Sequence, residues 1–279
     1  MGRLPLPATG VVRRGCLAAL LPWLLLGGRG SGKTFAGSVW IDIMARELPG
    51  ITLALVGPAL HDVREVMVEG ASGIKALAEP GDRPRWEAGR RRLLWKNGSA
   101  AYAFSAEDPD SLRGPQFHGA WADEFCAWRE PEAVLSNLRF GLRLGTDPKL
   151  AVTTTPRPIP ALRRLMAEAG TVTERAGTAA NAKNLAPGVL AHLTALYGGT
   201  RLEAQELEGR VVEGEGAIMI DGQGVRAGDD DAEVTLTASR DTFEGILNGD
   251  TNPTMAYMTG KLKIDGSLPA AMKLGAALS

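Results

Sequence analysis

The residues best suited to chemistry form one glycine-rich segment, residues 27–34, with the sequence Gly-Gly-Arg-Gly-Ser-Gly-Lys-Thr. It matches the phosphate-binding pattern Gly-x-x-x-x-Gly-Lys-Thr, whose glycines turn backbone N–H groups toward phosphates at a helix N-terminus. We expect Lys33 to contact the β- and γ-phosphates of ATP and Thr34 to ligate Mg²⁺; an ordinary glycine-rich turn is the alternative. The predicted nucleotide-binding residues are Gly27, Gly28, Arg29, Gly30, Ser31, Gly32, Lys33 and Thr34.

A carboxylate pair, Asp123 and Glu124, follows the short apolar run 119–122. An aspartate at the end of such a strand can hold Mg²⁺ through water, and the next glutamate can orient and deprotonate an attacking water. The alternative is a solvated strand end. Because the glycine-rich segment lies upstream, we favour Asp123 as a second Mg²⁺ ligand and Glu124 as the catalytic base.

Three consecutive hydroxyls, Thr153, Thr154 and Thr155, end a further predicted strand. Parallel strands bring their carboxyl ends to the same crevice, so these hydroxyls could sense the γ-phosphate. A threonine-rich strand end is also ordinary β-sheet composition. We predict the sensor role because the other two motifs are present.

Two arginines are candidates for neutralising charge during phosphoryl transfer. Arg113 is a candidate arginine finger that would act on a neighbouring subunit's ATP, and Arg29 inside the glycine-rich segment is its rival. A loop arginine is otherwise a surface charge. Basic clusters could also follow a nucleic-acid backbone, although solvated faces are the default interpretation. These clusters are Arg90–Arg92, Arg139 with Arg143, and Arg163 with Arg164.

The elements around these motifs alternate between strand and helix. This order predicts an α/β fold of the P-loop NTPase type, a mostly parallel sheet covered by helices. Asn97-Gly98 between two apolar runs predicts a hairpin. The predicted strands are residues 23–26, 51–56, 91–95, 100–104, 117–122 and 150–154; the predicted helices are residues 33–48, 61–77 with a glycine-containing break, and 185–208.

The N-terminal part imitates a signal peptide, because Arg13-Arg14 precedes an apolar run. That run is too short to span a bilayer as a helix. We favour a buried strand over residues 23–26, since cleavage here would leave the glycine-rich segment without its strand. A cytoplasmic protein without a membrane span is therefore expected.

Composition changes near residue 216. Residues 218–279 carry a net charge of −4 and residues 1–217 a net charge of +3, and all six tryptophans lie in the first part. We predict one domain over residues 1–216 and a smaller α+β domain over residues 217–279. Its predicted elements are strands 234–237 and 261–264, a helix 241–247 capped by Ser239, and a helix 268–278. Two cysteines and three histidines match no zinc spacing.

Taken in order, residues 23–34, 104–114, 118–124 and 153–158 resemble the large terminase subunit of tailed phages and gene-transfer agents. The resemblance covers about residues 23–216. It implies a motor that hydrolyses ATP with Mg²⁺ and threads double-stranded DNA into procapsids as a homo-oligomeric ring, with a portal and a small terminase subunit as partners. It also implies that Thr153–Thr155 form the coupling motif and that Arg113 lies near a trans-acting arginine. The family's nuclease domain has no counterpart here, so nuclease activity is not expected.

Residues 224–237 and 252–266 resemble the sterol carrier protein lipid-transfer domain, over about residues 217–279. Such a domain encloses a lipid tunnel, and plain core packing is the alternative for its apolar residues. The candidate lipid-contacting residues are Phe243, Met255, Met258, Leu262 and Met272.

Three functional hypotheses follow from the two resemblances. The leading one is a DNA-packaging ATPase of the terminase type. The second is a lipid- or sterol-binding transfer protein with a degenerate ATPase attached. The third is a non-functional prophage fusion of two partial domains.

Overall fold

The computed structural model describes residues 22–198, 200–212, 218–221, 224–227 and 234–266. The chain divides into two compact units, one of residues 1–157 and 161–212 and one of residues 158–160 and 213–279. The boundary after residue 216 that composition indicated stays a prediction. None of the helices in the described residues is both long and apolar enough to cross a membrane.

The first unit is organised around one sheet. Its strands are β1 (Trp23–Gly27), β2 (Thr52–Gly57), β3 (Arg85–Glu87), β4 (Arg92–Leu94), β5 (Ala100–Ser105), β6 (Gly119–Asp123), β7 (Lys149–Thr154) and β8 (Val172–Ala176). They lie in the order β3-β4-β5-β2-β6-β7-β1-β8. The strands from β5 to β8 in this order pair in parallel, and the pairs β3–β4 and β4–β5 are antiparallel. The predicted α/β class with a mostly parallel sheet is confirmed.

Helices connect and flank these strands. They are α1 (Lys33–Glu47), α2 (Pro131–Gly141), α3 (Pro160–Ala167), α4 (Val189–Tyr197) and α5 (Arg201–Glu206). The predicted helix over residues 185–208 is two shorter helices, because α4 ends at Gly198, its C-cap.

The helix predicted over residues 61–77, with its glycine-containing break, is present as helical segments on both sides of that break, but most of it is not α-helical. A three-residue α-helical turn, Leu60–Asp62, runs into a π-helical segment, Val63–Val68, and a separate 3-10 helix covers Ile74–Leu77. Between them the chain folds back on itself, so that a Cβ added at Gly73 would lie 2.8 Å from the carbonyl oxygen of Val68. Only glycine allows this close approach of backbone to backbone.

The predicted hairpin is formed by β4 and β5, and Gly98 in its turn has φ 86°. Asn97 fixes the turn, because its side-chain oxygen accepts a hydrogen bond from the backbone N–H of Ser99 at 3.1 Å. Four of the named helices and strands of the first unit were not predicted from the sequence: α2, α3, β3 and β8.

A hydrophobic core of the first unit lies where α1 packs against the sheet. Three fully buried indoles, those of Trp23, Trp40 and Trp121, belong to it. Trp121 projects toward α1 at Gly37, where an added Cβ would lie 2.1 Å from the indole ring. Glycine at this position therefore lets α1 approach the sheet closely.

The second unit contains two antiparallel strand pairs in its described residues. These are β9 (Ile218–Asp221) with β10 (Gly224–Ala227), and β11 (Val234–Ala238) with β12 (Leu262–Gly266); its helices are α6 (Arg240–Leu247) and α7 (Pro253–Met258). The predicted strands near 234 and 261 are confirmed, as is the Ser239 cap, whose hydroxyl accepts a hydrogen bond from Thr242 N at 3.2 Å. The predicted helix 268–278 lies outside the described residues.

Candidate active site

The predicted site residues meet at the carboxyl edge of three neighbouring strands. In the register of the sheet, Asp123 at the end of β6 lies opposite Thr153 of β7, and Thr153 lies opposite Leu25 of β1. The glycine-rich segment begins as β1 ends, at Gly27. The edge therefore presents the glycine loop, the carboxylates and the threonines side by side, as the sequence predicted.

The geometry of the glycine loop requires glycine at several of its positions. Gly30 and Gly32 have φ values of 69° and 89°, in the left-handed region that other residues rarely adopt. A Cβ at Gly27 would lie 2.4 Å from Oγ of Ser31. Oγ of Ser31 is itself buried and makes no hydrogen bond to any described residue. A cradle of bare backbone with an unpartnered hydroxyl suits the oxygens of a phosphate group.

The segment 176–208, between β8 and the end of the first unit, holds the glycine loop from outside. Backbone and side-chain hydrogen bonds connect this segment to the glycine loop. None of the residues of the segment that make these bonds could be identified from spacing in the sequence. The bonds are Gly28 N to Ala176 O at 3.0 Å, Arg29 N to Glu206 O at 2.6 Å, Thr178 Oγ1 to Arg29 O at 2.6 Å, and Asn181 Nδ2 to Gly30 O at 2.8 Å.

Arg29 is tied to the same segment through its side chain. Its Nε donates to Oε2 of Glu206 at 2.7 Å, and Glu206 exposes only 12% of its side chain whereas Arg29 exposes 63%. The hydrogen bond and the charge of Glu206 raise the pKa of Arg29. Burial raises the pKa of Glu206, but hydrogen bonds from Arg29 and Gln205 outweigh it, so the net shift is downward.

Lys33 and Glu124 form an ion pair across the site. Nζ of Lys33, a residue only 8% exposed, lies 3.0 Å from Oε1 of Glu124. The other carboxylate oxygen of Glu124 accepts a hydrogen bond from the backbone N–H of Thr155 at 3.3 Å. Glu124 has φ 51° and ψ 45°, a conformation unfavourable for a residue with a side chain. A strained backbone therefore aims this carboxylate at the lysine of the glycine loop.

Asp123 is buried at the same edge and is 3% exposed. Its burial, together with the charge of Glu124, raises the pKa of Asp123 to about 7. The hydroxyl of Thr153 opposes this shift by donating to Oδ1 of Asp123 at 2.5 Å. With the hydroxyl of half-buried Thr34, Asp123 supplies the oxygen ligands that Mg²⁺ prefers.

The three threonines at the end of β7 use their polar groups within the site. Besides its bond to Asp123, Thr153 accepts from Nε1 of Trp121 at 2.7 Å. Oγ1 of Thr154 accepts from the backbone N–H of Cys126 at 2.9 Å. Both Thr153 and Thr154 are fully buried, and Thr155 contributes the backbone N–H that Glu124 accepts. Their role as a sensor stays a prediction.

Arg113 follows a short 3-10 helix in the loop before β6. Its side chain is 70% exposed, and its Nε lies 3.1 Å from Oδ1 of Asp110. Arg113 lines an open cavity of about 380 Å³ together with Asn137, Phe140 and Arg143. Phe140 is 76% exposed. The catalytic role of Arg113 stays a prediction.

Several arginines of the predicted basic clusters are paired with carboxylates. The pairs are Arg92 with Glu87, Arg139 with Glu168, and Arg164 with Glu132. These partners reduce the charge available to a nucleic-acid backbone.

The candidate lipid-contacting residues of the second unit fall into two groups. Leu262, which is 4% exposed, belongs to its hydrophobic core, and partly buried Phe243 packs against that core. Met255 and Met258 on α7 are 57% and 75% exposed. Met272 lies outside the described residues.

Two protein families match the chain. Residues 24–219 match the family described as terminase large subunit, T4likevirus-type, N-terminal, and residues 192–279 match the SCP-2 sterol transfer family. The two matches overlap over residues 192–219.

Solved structures with the same fold include phage packaging proteins. The ATPase domain of the Thermus phage P74-26 large terminase has a TM-score of 0.55 and 19% identity, and the alignment covers 75% of this chain and 94% of that domain. The large terminase of a thermophilic bacteriophage in complex with ADP has a TM-score of 0.58 and 16% identity, covering 80% of this chain and 60% of that one. The bacteriophage Phi-29 viral genome packaging motor assembly has a TM-score of 0.50 and 14% identity, covering 94% and 96%. At these identities the likeness concerns the fold.

Curated relatives match only short stretches. Hydroxysteroid dehydrogenase-like protein 2 of Bos taurus is 47% identical over 45 residues, which is 16% of this chain and 11% of that protein. Peroxisomal multifunctional enzyme A of Dictyostelium discoideum is 38% identical over 80 residues, 29% of this chain and 17% of that protein. The chain thus spans less than a fifth of the length of these relatives.

Proposed function

The chain belongs to the family of terminase large subunits of the T4likevirus type through residues 24–219, and we propose on this basis that it is a magnesium-dependent ATPase that drives DNA packaging. The observation that carries the proposal is the 3.0 Å contact between Nζ of Lys33 and Oε1 of Glu124 at the carboxyl edge of the sheet. It joins the cation of the glycine loop to the carboxylate that would act as the base.

Each residue of the site has a part in ATP hydrolysis. The backbone N–H groups of residues 27–34 and Nζ of Lys33 bind the β- and γ-phosphates. Lys33 then exchanges the carboxylate of Glu124 for phosphate oxygens, which leaves Glu124 free to hold a water molecule. The water oxygen bonds to the γ-phosphorus as the bond from this phosphorus to the bridging oxygen of ADP breaks, and Glu124 accepts the proton.

Mg²⁺ fits the oxygen ligands of Thr34 and Asp123. When bound, Mg²⁺ neutralises charge on the β- and γ-phosphate oxygens. Asp123 is held for this purpose by Thr153, and its neighbour Glu124 is held by the backbone of Thr155. Thr153–Thr155 thereby connect the state of the site to β7, in line with a coupling role.

The two candidate arginines differ in the burial of their carboxylate partners. Arg29 is bound to Glu206, whose side chain is 12% exposed, and stabilises the glycine loop. Arg113 is paired with Asp110, whose side chain is 73% exposed, so we assign the trans-acting role to Arg113. This assignment requires a homo-oligomeric ring in which Arg113 of one subunit reaches the ATP of the next.

Double-stranded DNA is the proposed substrate of the motor, and a procapsid portal and a small terminase subunit are its proposed partners. Family membership and the fold shared with the Phi-29 packaging motor assembly support this part.

ATP turnover by the full chain tests the enzymatic proposal. Lys33→Ala and Glu124→Gln should each lower turnover at least about 100-fold, since electrostatic and base catalysis contribute factors of this size. The ion pair of Lys75 with Glu69, in which Nζ lies 2.7 Å from Oε1, provides matched controls in Lys75→Ala and Glu69→Gln. Unchanged turnover in both site variants would refute hydrolysis at this site.

A second candidate function is lipid binding by residues 217–279, which we propose as a smaller α+β domain. The match of residues 192–279 to the SCP-2 sterol transfer family and the exposed methionines on α7 favour it. Displacement of a fluorescent fatty acid from the full chain measures such binding. The double variant Met255→Ser, Met258→Ser should weaken it, whereas Phe140→Ser, which removes an equally exposed apolar side chain of the first unit, should not. A full chain that takes up no fatty acid would exclude this function.

A further inference from the structure

A chain of two hydrogen bonds lies beneath the glycine loop. Nε1 of Trp121 donates to Oγ1 of Thr153 at 2.7 Å, and Oγ1 of Thr153 donates to Oδ1 of Asp123 at 2.5 Å. All three residues are at most 3% exposed. In the absence of competing water at this depth, each bond has a strong effect on the orientation of the groups it joins.

The direction of the chain follows from the chemistry of the indole. An indole N–H can only donate, so Thr153 must accept from Trp121 with a lone pair. The single hydroxyl hydrogen of Thr153 is then free to point at Asp123. The other acceptor within reach, the carbonyl oxygen of Ala122, is 3.5 Å away, at the limit of a hydrogen bond. Trp121 therefore selects the rotamer in which Thr153 donates to the carboxylate.

The strand register places the three groups for this purpose. Residues two apart on a strand project to the same face, so Trp121 and Asp123 of β6 share a face, and Thr153 lies opposite Asp123 on β7. Helix α1 covers this face, since an added Cβ at Gly37 would lie 2.1 Å from the ring of Trp121. Gly37 stands one helical turn after Lys33, on the same side of α1. The same indole thus contacts the helix that carries Lys33 and holds the residue that binds Asp123.

We infer that Trp121 is a positioning residue for Asp123: through Thr153 it fixes the carboxylate that, in the proposed function, ligates Mg²⁺. The inference rests on that proposed function. Outer hydrogen-bond partners of metal ligands have effects of about 10- to 100-fold on metal affinity. Loss of the indole N–H should therefore weaken the binding of the metal ion and leave the phosphate contacts of the glycine loop intact.

The chain offers a matched control for the loss of an indole N–H. Trp40 on α1 is as buried as Trp121, but its Nε1 makes no hydrogen bond to any described residue. Trp40→Phe and Trp121→Phe remove the same atoms from the same core, and only the second breaks the chain to Asp123. At Thr153, the next group in the chain, Thr153→Val removes the hydroxyl and Thr153→Ser keeps it.

The test is the binding of Mn²⁺ to the full chain with ADP, followed by electron paramagnetic resonance, and the binding of fluorescent ADP in EDTA. Trp121→Phe and Thr153→Val should each weaken Mn²⁺ binding about 10- to 100-fold and leave ADP binding in EDTA unchanged. The affinities of Trp40→Phe and Thr153→Ser for Mn²⁺ should stay within about twofold of that of the parent chain. The double variant Trp121→Phe, Thr153→Val should bind Mn²⁺ no more weakly than Thr153→Val alone, because both substitutions break the same chain of hydrogen bonds.

Two results would overturn the inference while the proposed function stands: Mn²⁺ binding by the parent chain that Trp121→Phe and Thr153→Val leave unchanged, or an equal loss in Trp40→Phe and Trp121→Phe. A parent chain that binds neither ADP nor Mn²⁺ would instead overturn the proposed function, and this inference with it.

Discussion

Nζ of Lys33 lies 3.0 Å from Oε1 of Glu124, although the two residues belong to different elements, the start of α1 and the residue after β6. Glu124 reaches this position only through a left-handed backbone conformation, φ 51°. Substitutions at Glu124 can separate the effect of losing the contact with Lys33 from the effect of relieving the backbone strain.

Replacing Glu124 with glycine should relieve the backbone while abolishing turnover. Glu124→Gln and Glu124→Gly both lose the charge opposite Lys33, so their difference isolates the backbone conformation. The left-handed region costs a residue with a Cβ about 1–2 kcal/mol, and glycine's extra unfolded-state entropy offsets about 0.5–1 kcal/mol of this. We expect Glu124→Gly to exceed Glu124→Gln in free energy of unfolding by about 0.5–1 kcal/mol, measured with urea and tryptophan fluorescence.

Arg91, the other described non-glycine residue with positive φ (48°), provides the control. Arg91→Gly should raise the free energy of unfolding by a similar amount and keep full ATP turnover. Equal stability of Glu124→Gly and Glu124→Gln would show that the conformation at this position is not strained.

Asp123 should make the stability of the first unit fall as pH rises. Its pKa is raised to about 7 in the folded chain, from an ordinary value of 3.8, so between these values the folded state holds more protons than the unfolded state. Stability then decreases with pH across this window, by at most about 1.4 kcal/mol per pH unit. Asp123→Asn removes this titration. Without Mg²⁺, the free energy of unfolding of this variant should therefore rise relative to that of the parent chain as pH increases from 4 to 7.

Urea unfolding at several pH values in EDTA measures the effect, and all six tryptophans lie in residues 1–217, so their fluorescence reports the first unit. A constant difference between Asp123→Asn and the parent chain would contradict the raised pKa. Added Mg²⁺ should reduce the pH dependence of the parent chain, because a bound cation favours the ionised carboxylate.

Gly37→Ala should destabilise the protein, against the usual trend in helices. Alanine in place of an interior helix glycine ordinarily gains about 1 kcal/mol. At this position the added Cβ would lie 2.1 Å from the buried ring of Trp121, and overpacking costs about 1–3 kcal/mol. Gly89→Ala, where nothing lies within 4 Å of the added Cβ, should be close to neutral. A higher free energy of unfolding for Gly37→Ala would show that α1 tolerates a wider separation from the sheet.

The ion pair of Arg29 with Glu206 should stabilise the glycine loop above acidic pH only. The pKa of Glu206 is lowered in the folded chain, so its contribution is complete above its ordinary value of 4.5 and is lost as pH falls through the folded value. Arg29→Met should lower the free energy of unfolding at pH 7 by at most about 1 kcal/mol, because Arg29 is largely exposed to solvent. The loss should shrink below pH 4.5.

Arg113→Met serves as the comparison, since Arg113 and Asp110 are exposed on both sides of their ion pair. We expect no measurable change in this variant. A pH-independent loss in Arg29→Met would assign its effect to packing of the side-chain stem rather than to charge.

The nucleotide loop and the carboxylate pair could be recognised from the sequence because their signals are local. Gly27, Gly32, Lys33 and Thr34 stand at fixed spacing, and the strand before Asp123 is a short apolar run. The meeting of these motifs follows from the rule that parallel strands bring their carboxyl ends to one edge of the sheet, whereas the order of the strands was not predicted.

The supporting residues carried no comparable signal. Trp121 resembles an ordinary core residue, and its role depends on the direction of one N–H bond across two strands. Glu206 is a charged residue on a short helix whose distance in sequence from Arg29 gives no hint of contact. The glycine-containing break in the helix expected over residues 61–77 could be predicted, but the π-helical and 3-10 geometry on either side of it could not. Long-range packing decided the cases of Trp121 and Glu206.

The hydrogen bonds that residues 176–208 make to the glycine loop bear on the stretch where the two family matches overlap. Glu206 lies inside the stretch shared by both family matches, residues 192–219, and its backbone carbonyl receives the N–H of Arg29. A Cβ at Gly209 would lie 2.9 Å from the carbonyl oxygen of Leu26. A fragment that stopped before residue 192 would keep the whole glycine-rich segment, residues 27–34, and would lose both hydrogen bonds from Arg29 to Glu206. The stretch shared by the two family matches therefore includes residues that shape the glycine loop, and the frame around this loop extends to Gly209.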